Sequence, residues 1–191
     1  MDRDIAFKIY SELDEELQER IAKFRDRCKR NEPKRKDGDR ATRLDKYCSD
    51  ADIFKWIVAR DSDEIVGMVA AYKRNILYLG EELVMGGIGK MRVSLEYQRR
   101  GIASKLMGIV ISELKAESVD VALLCTNIDS FLVNFYEKFG FKLLGKPYRY
   151  KGKSGKDYTE LEGMLAPINS KSKFKTVMSS EHVLDIGVGN W

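Results

Sequence analysis

Met91-Arg-Val-Ser-Leu-Glu-Tyr-Gln-Arg-Arg-Gly-Ile-Ala-Ser-Lys-Leu-Met107 reads as a short β-strand that breaks into a turn and then opens a helix. Gln98, Arg99, Arg100, Gly101, Ile102 and Ala103 make the turn. Gly101 lets the chain bend without a Cβ clash, and Ala103 keeps the next approach small. The helix then starts with its first turn of N–H groups free, at the positive end of its dipole, which is a seat for phosphate. Arg99 and Arg100 add charge beside it. Strand, turn and helix together are expected to hold a pyrophosphate.

The pattern extends in both directions. Ile102, Leu106, Val110 and Leu114 put one apolar helical face on a sheet. Gly108 in that helix costs about 1 kcal/mol relative to Ala, and a close helix–sheet contact is the expected reason for it. Residues 119–125 are apolar apart from Asp120 and predict a central strand buried on both faces. A helix is expected over 130–139, stopping at Gly140. Residues 141–144 and 158–165 predict a closing pair of strands, with the lysine-rich run 151–156 as a hairpin loop, and 168–191 a tail of weak periodicity. Upstream, residues 1–10 alternate as an opening strand, and Leu17, Ile21 and Phe24 follow as a helical stripe after capping residues 11–14. Residues 31–40 read as a polar loop. Strands are expected at 53–60 and 65–72 around a turn at 61–64. Residues 78–82 then form a connector that leads through 85–89 into the phosphate-turn strand. The sum is one α/β domain with a mixed, mostly antiparallel sheet flanked by helices.

At 191 residues, 43% apolar and 34% charged, the chain has room for one cored domain. No apolar run approaches the ~20 residues of a membrane span, and the N-terminal residues lack a signal-peptide profile. Cys28, Cys48 and Cys125 are odd in number and lack metal spacing, which suits reduced thiols in a cytoplasm. With His182 the single histidine, histidine-based catalysis and multi-histidine metal sites are not expected. The net charge is +4, yet residues 20–46 hold twelve Lys or Arg against five acids. Nucleic acid is one partner for such a run; a solvated helix face and loop is the other reading, favoured by the absence of helix-turn-helix or zinc spacing.

Two motifs carry a resemblance. The turn 98–103 has the Q/R-x-x-G-x-G/A pattern of the GNAT N-acetyltransferases, and Asn134-Phe-Tyr-Glu-Lys-Phe-Gly-Phe141 is similar to that family's second signature. The resemblance implies the GNAT acyl-CoA N-acyltransferase fold, with an acceptor-side helix and loop at 1–52, a cofactor-binding core at 53–165 and a C-terminal tail at 166–191. It implies acetyl-CoA as donor, with Met91, Arg92 and Val93 along the pantetheine arm. Gln98, Arg99, Arg100, Gly101, Ile102, Ala103 and Ser104 would lie around the phosphates. Tyr136 would protonate the departing thiolate. The family asparagine that bonds the pantetheine falls at Asp129 here, with Asn127 and Ser130 as neighbouring substitutes. Dimers are common among such proteins.

A narrower resemblance concerns the acceptor. Residues 64–80, 164–168 and the tail closing on Trp191 look like aminoglycoside 2′-N-acetyltransferases, in which the terminal tryptophan lines the acceptor cleft and its carboxylate meets an amine of the drug. That likeness implies acceptor-binding roles for Trp191, Asp39, Asp45 and Glu160. The subfamily's glutamate base falls at about Gly89, leaving Glu81, Glu82 or bulk water to take the proton. A polyamine, a metabolite or a protein amine remains an alternative acceptor. So does a non-catalytic acyl-CoA-binding regulatory module.

Overall fold

The computed structural model describes residues 4–29, 40–47 and 50–191. Its strands are β1 (Ile5–Tyr10), β2 (Ile53–Asp61), β3 (Glu64–Tyr78), β4 (Glu81–Val93), β5 (Val121–Cys125), β6 (Lys142–Leu143), β7 (Tyr148–Lys151), β8 (Asp157–Glu160), β9 (Gly163–Pro167) and β10 (Leu184–Val188). Its α-helices are α1 (Glu15–Lys29), α2 (Arg40–Lys46), α3 (Ile102–Ala116), α4 (Leu132–Glu137) and α5 (Lys171–Ser179). Seven strands form one sheet in the order β1-β2-β3-β4-β5-β9-β6, and β10-β7-β8 form a second. In the large sheet only β4 and β5 run parallel.

Each face of the large sheet carries its own apolar cluster. On one face, Ile102, Leu106, Val110 and Leu114 of α3 pack with Ile57, Val69, Ile88, Leu124, Tyr136 and Phe141. On the other, Leu17, Ile21 and Phe24 of α1 join Trp56, Tyr72, Val177, Ile186 and Trp191. The side-chain carboxylate of Asp14 accepts the Leu17 N–H at 2.8 Å, capping α1 as the sequence suggested.

Several expectations need correction. The strand at 65–72 continues to Tyr78, and the supposed connector 78–82 with the stretch 85–89 belongs to a long β3–β4 hairpin. Glycines at 86, 87 and 89 disguised β4 as a loop, although each admits a neighbouring side chain. A Cβ on Gly86 would meet Leu114 at 2.7 Å, and one on Gly87 would clash with the Trp191 ring. Gly108 faces open space and is exposed. The close helix–sheet approach is made by Gly67 and Gly86 of the sheet, beneath Ile102 and Leu114. The expected strand 158–165 is two strands in different sheets, of which β9 pairs with β6 as foreseen. The tail contains α5 and β10. Most of the predicted loop at 31–40 lies outside the described residues.

Candidate active site

Strand β4 ends at the site. Its pairing with β5 covers only Met85 to Gly87 against Val121 to Leu123. Beyond that rung β5 pairs with β9 alone among the described residues, and β4 with β3 alone. The β5-facing edge of residues 88–93 therefore leaves a wedge-shaped opening. A bulge accompanies the parting: Lys90 and Met91 stand opposite the single residue Val69, between the pairs Ala70–Gly89 and Met68–Arg92. Lys90 takes φ 53 there, a left-handed conformation that costs a non-glycine residue about 1 kcal/mol or more. Met91, Arg92 and Val93, all half-buried, follow on this edge.

Past Val93 the chain makes a 3-10 turn, Leu95–Tyr97, and enters α3 through residues 98–101, all exposed. Gly101 is left-handed at φ 78, and no side chain caps the helix. The first helical bond runs from the Lys105 N–H to the Gly101 carbonyl at 3.0 Å. The amides of Ile102, Ala103 and Ser104 thus lack helical acceptors and carry the positive end of a four-turn dipole. The glycine turn and the uncapped helix start thus stand where the sequence put them. Extended backbone of β4 thus borders the wedge on this edge.

Tyr136 lies on the α3 face, in one cluster with Ile88 and Leu124, the first residues on either side of the parting. Its ring meets Phe135 and Phe141 edge-on. Burial pushes its phenol up to about 12, and among the described residues its hydroxyl has no hydrogen-bond partner. It is a neutral donor near the wedge. Asn127 is exposed, and its side-chain oxygen accepts the Asp129 N–H while its carbonyl accepts Ser130 Oγ at 2.6 Å. Asn127 and Ser130 shape the entry to α4, leaving the Asn127 amide nitrogen available.

Trp191 is folded into the sheet from the opposite face. Its Nε1–H donates to the Leu123 carbonyl at 3.2 Å, on the last β5 residue before the parting. Its ring stacks on Tyr72 and lies under the Arg74 guanidinium at 4.5 Å. Arg74 in turn donates to the carbonyls of Ile186, Val188 and Gly189 and to Asp52, fastening the segment that carries Trp191. A cavity of about 460 Å³ opens beside it, lined by Asp52, Arg74, Lys153 and Val188.

The acidic candidates do not converge. Asp39 lies outside the described residues. The carboxylate of Asp45 is committed to the 151–156 loop, accepting the Ser154 N–H at 2.6 Å, Ser154 Oγ at 2.8 Å and the Tyr158 hydroxyl at 2.8 Å. Those bonds, the Ser154 amide first, hold it below the usual carboxylate range. Glu160 stands near the end of β5: burial foremost, and then Glu160 and Glu162, push the Cys125 thiol up to about 11. Cys125 is thus an inert thiol. Glu81 and Glu82 sit at the far hairpin tip, with Glu82 bound to Asn75. Eight residues of strand, about 26 Å, separate Glu82 from Lys90, so neither takes a proton at the wedge. Sequence reading missed Tyr148, whose hydroxyl donates to Asn190 Oδ1 at 3.1 Å, the same oxygen that accepts the Trp191 N–H. Nothing in the local pattern around Tyr148 marks a pairing across 42 residues.

Comparison with known proteins places this architecture. The structure is similar to the GNAT family N-acetyltransferase YhbS from Escherichia coli in complex with CoA, at 15% identity over 98% of this chain and 92% of that one, TM-score 0.57. It is similar to the ribosomal-protein-S18-alanine N-acetyltransferase from Escherichia coli, 17% identical over 87% and 96%, TM-score 0.54. The chain also matches a probable N-acyltransferase from Enterococcus faecalis V583, 15% identical over 76% of this chain, but spans only 34% of that one, TM-score 0.56. No curated protein sequence matches. At these identities the likeness carries the fold alone. The sequence pattern of the acetyltransferase (GNAT) domain matches residues 10–144, well over half of the chain; with the parted β4–β5 pair and the glycine turn before α3, the chain belongs to the GNAT acetyltransferase family.

Proposed function

We propose that the protein is an acetyl-CoA-dependent N-acetyltransferase that passes acetyl directly to a primary amine in a ternary complex. The observation that carries this is the coincidence of a parted β4–β5 pair with uncapped α3 amides immediately downstream. Bound acetyl-CoA supplies an activated acetyl thioester; in the net reaction a C–N bond forms, the C–S bond breaks, the amine loses a proton and the sulfur gains one. The residues fit that donor. The amides of Ile102, Ala103 and Ser104, with Gln98, Arg99, Arg100 and Gly101 around them, hold the diphosphate. The edge of Met91, Arg92 and Val93 orients the pantetheine, and a strand N–H near Val93 stabilises charge on the reacting carbonyl oxygen. Asn127 and Ser130 border its path. Tyr136 gives its phenolic proton to the leaving sulfur.

The acceptor enters from the α1 face, where Trp191 closes the depth of the wedge and Arg74, which covers the Trp191 ring, also lines the 460 Å³ cavity. A small primary amine is the acceptor we propose, with 2′-amino aminoglycosides the first to test. Glu160 would meet its ammonium form. A peptide amine is the second reading, favoured by Lys153 on the cavity wall, where Asp52 and Arg74 pair with each other and leave a net positive lining that a polycation would meet unfavourably. Turnover of acetyl-CoA against panels of aminoglycosides, polyamines and peptides separates these. Release of CoA with one panel alone identifies the class, and absence of transfer to any amine would overturn the enzymatic reading.

A further inference from the structure

The turn that seats the phosphates is tied to the sheet by a side chain outside the glycine motif. Tyr97 closes the 3-10 turn immediately before Gln98. Its hydroxyl donates to Oδ2 of Asp61 at 2.7 Å. Asp61 is 5% exposed and ends β2, paired with Ile5 on one side and Glu64 on the other, so the acceptor is fixed in the sheet. On the ring of Tyr97 lies the Arg100 guanidinium, 5.0 Å from the centroid. Asp61, Tyr97 and Arg100 therefore form a stack from the sheet to the mouth of α3. An exposed arginine loses rotamer freedom when it is held. A ring clamped beneath the guanidinium removes part of that cost before any ligand arrives.

We propose that Tyr97 is a positioning residue for the donor: anchored on Asp61, it holds Arg100 beside the free amides of α3 so that the guanidinium meets the diphosphate of CoA. The inference rests on the acetyl-CoA reading above but adds a residue to it. The bond to Asp61 sets where the ring sits, and the ring sets where Arg100 points. Arg100 adjoins Gly101 directly, so the charge lies next to the helix mouth and close to the diphosphate rather than farther along the nucleotide.

The test compares the wild type with Tyr97→Phe, Tyr97→Leu, Asp61→Asn, Arg100→Gln and the double variant Tyr97→Leu/Arg100→Gln. CoA affinity is read by calorimetry and steady-state kinetics with whichever amine turns over. Tyr97→Leu is expected to raise KM for acetyl-CoA about five- to twentyfold with kcat little changed. Tyr97→Phe and Asp61→Asn should show smaller rises, because each keeps part of the stack. The double variant should bind CoA no worse than Arg100→Gln alone, since the two residues act as one unit. The Arg100→Gln loss should persist with 3′-dephospho-CoA, and Tyr97→Leu and Arg100→Gln should each flatten the salt dependence of binding. Additive losses in the double variant, a fall in kcat that tracks lowered thermal stability, or a loss that disappears with 3′-dephospho-CoA would each overturn the proposal. Wild-type protein that binds no CoA would instead overturn the donor reading itself.

Discussion

Burial keeps the Tyr136 phenol protonated up to about 12, and the direction matters for its chemistry. A group that acts by donating a proton is competent below its pKa, so ionisation of Tyr136 imposes no fall in kcat between pH 7 and 10. Tyr136→Phe should lower kcat ten- to a hundredfold while leaving CoA affinity within twofold, as pre-steady-state and binding measurements would show. Equal kcat would remove the tyrosine from the reaction. At Gly108 the structure predicts the opposite kind of outcome. That position is exposed and a Cβ there meets nothing, so Gly108→Ala should stabilise the fold by about 1 kcal/mol in urea denaturation. Among single residues, the glycine turn and Tyr136 were legible from motif spacing. Asp45 was not, because its three hydrogen bonds come from a hairpin more than a hundred positions away.

At the scale of elements, β4 shows why a strand can hide in its own sequence. Its glycines serve the neighbours on alternate faces, Gly86 beneath Leu114 and Val119 and Gly87 beneath Trp191. The stripes of α1 and α3 and the strand β2 were readable because their apolar residues repeat locally. Here the partners of the empty positions lie on α3 and after β10, so local pattern carried no trace of them. Gly87→Ala should destabilise the protein by about 1–3 kcal/mol through overpacking against the Trp191 ring, and Trp191→Ala by about 3–5 kcal/mol through the cavity it leaves. Since both act on one contact, the double variant should be less destabilised than the sum, and strict additivity would deny that contact. The link from α2 to the β7–β8 hairpin is pH-sensitive. The Asp45 carboxyl sits below its ordinary value, chiefly through the Ser154 amide. Its contribution is therefore present above roughly pH 4 and is lost as the pH falls through the depressed value. Asp45→Asn should cost stability at pH 7 and cost less at pH 3, measured by denaturant midpoints at the two values.

For the whole molecule, the sheet divides the work between its faces. Helices α3 and α4 cover one face, with the uncapped α3 amides and Tyr136, which is the donor side of the proposed reaction, while α1, α5 and the segment after β10 enclose the side on which Trp191 enters. The parting of β4 from β5 joins the two faces, which lets donor and acceptor of the proposed direct transfer meet from opposite sides. The mixed, mostly antiparallel sheet was readable from strand patterning along the chain; the second sheet depends on pairings between distant segments. No helix among the described residues is long and apolar enough to cross a membrane. The account stands on the amides at the mouth of α3. Titration calorimetry of the intact protein with CoA should show a single saturable site, abolished in Gly101→Glu, where the new carboxylate fills the turn and repels phosphate. Absence of any association with the wild-type protein, or unaltered binding by Gly101→Glu, would contradict it.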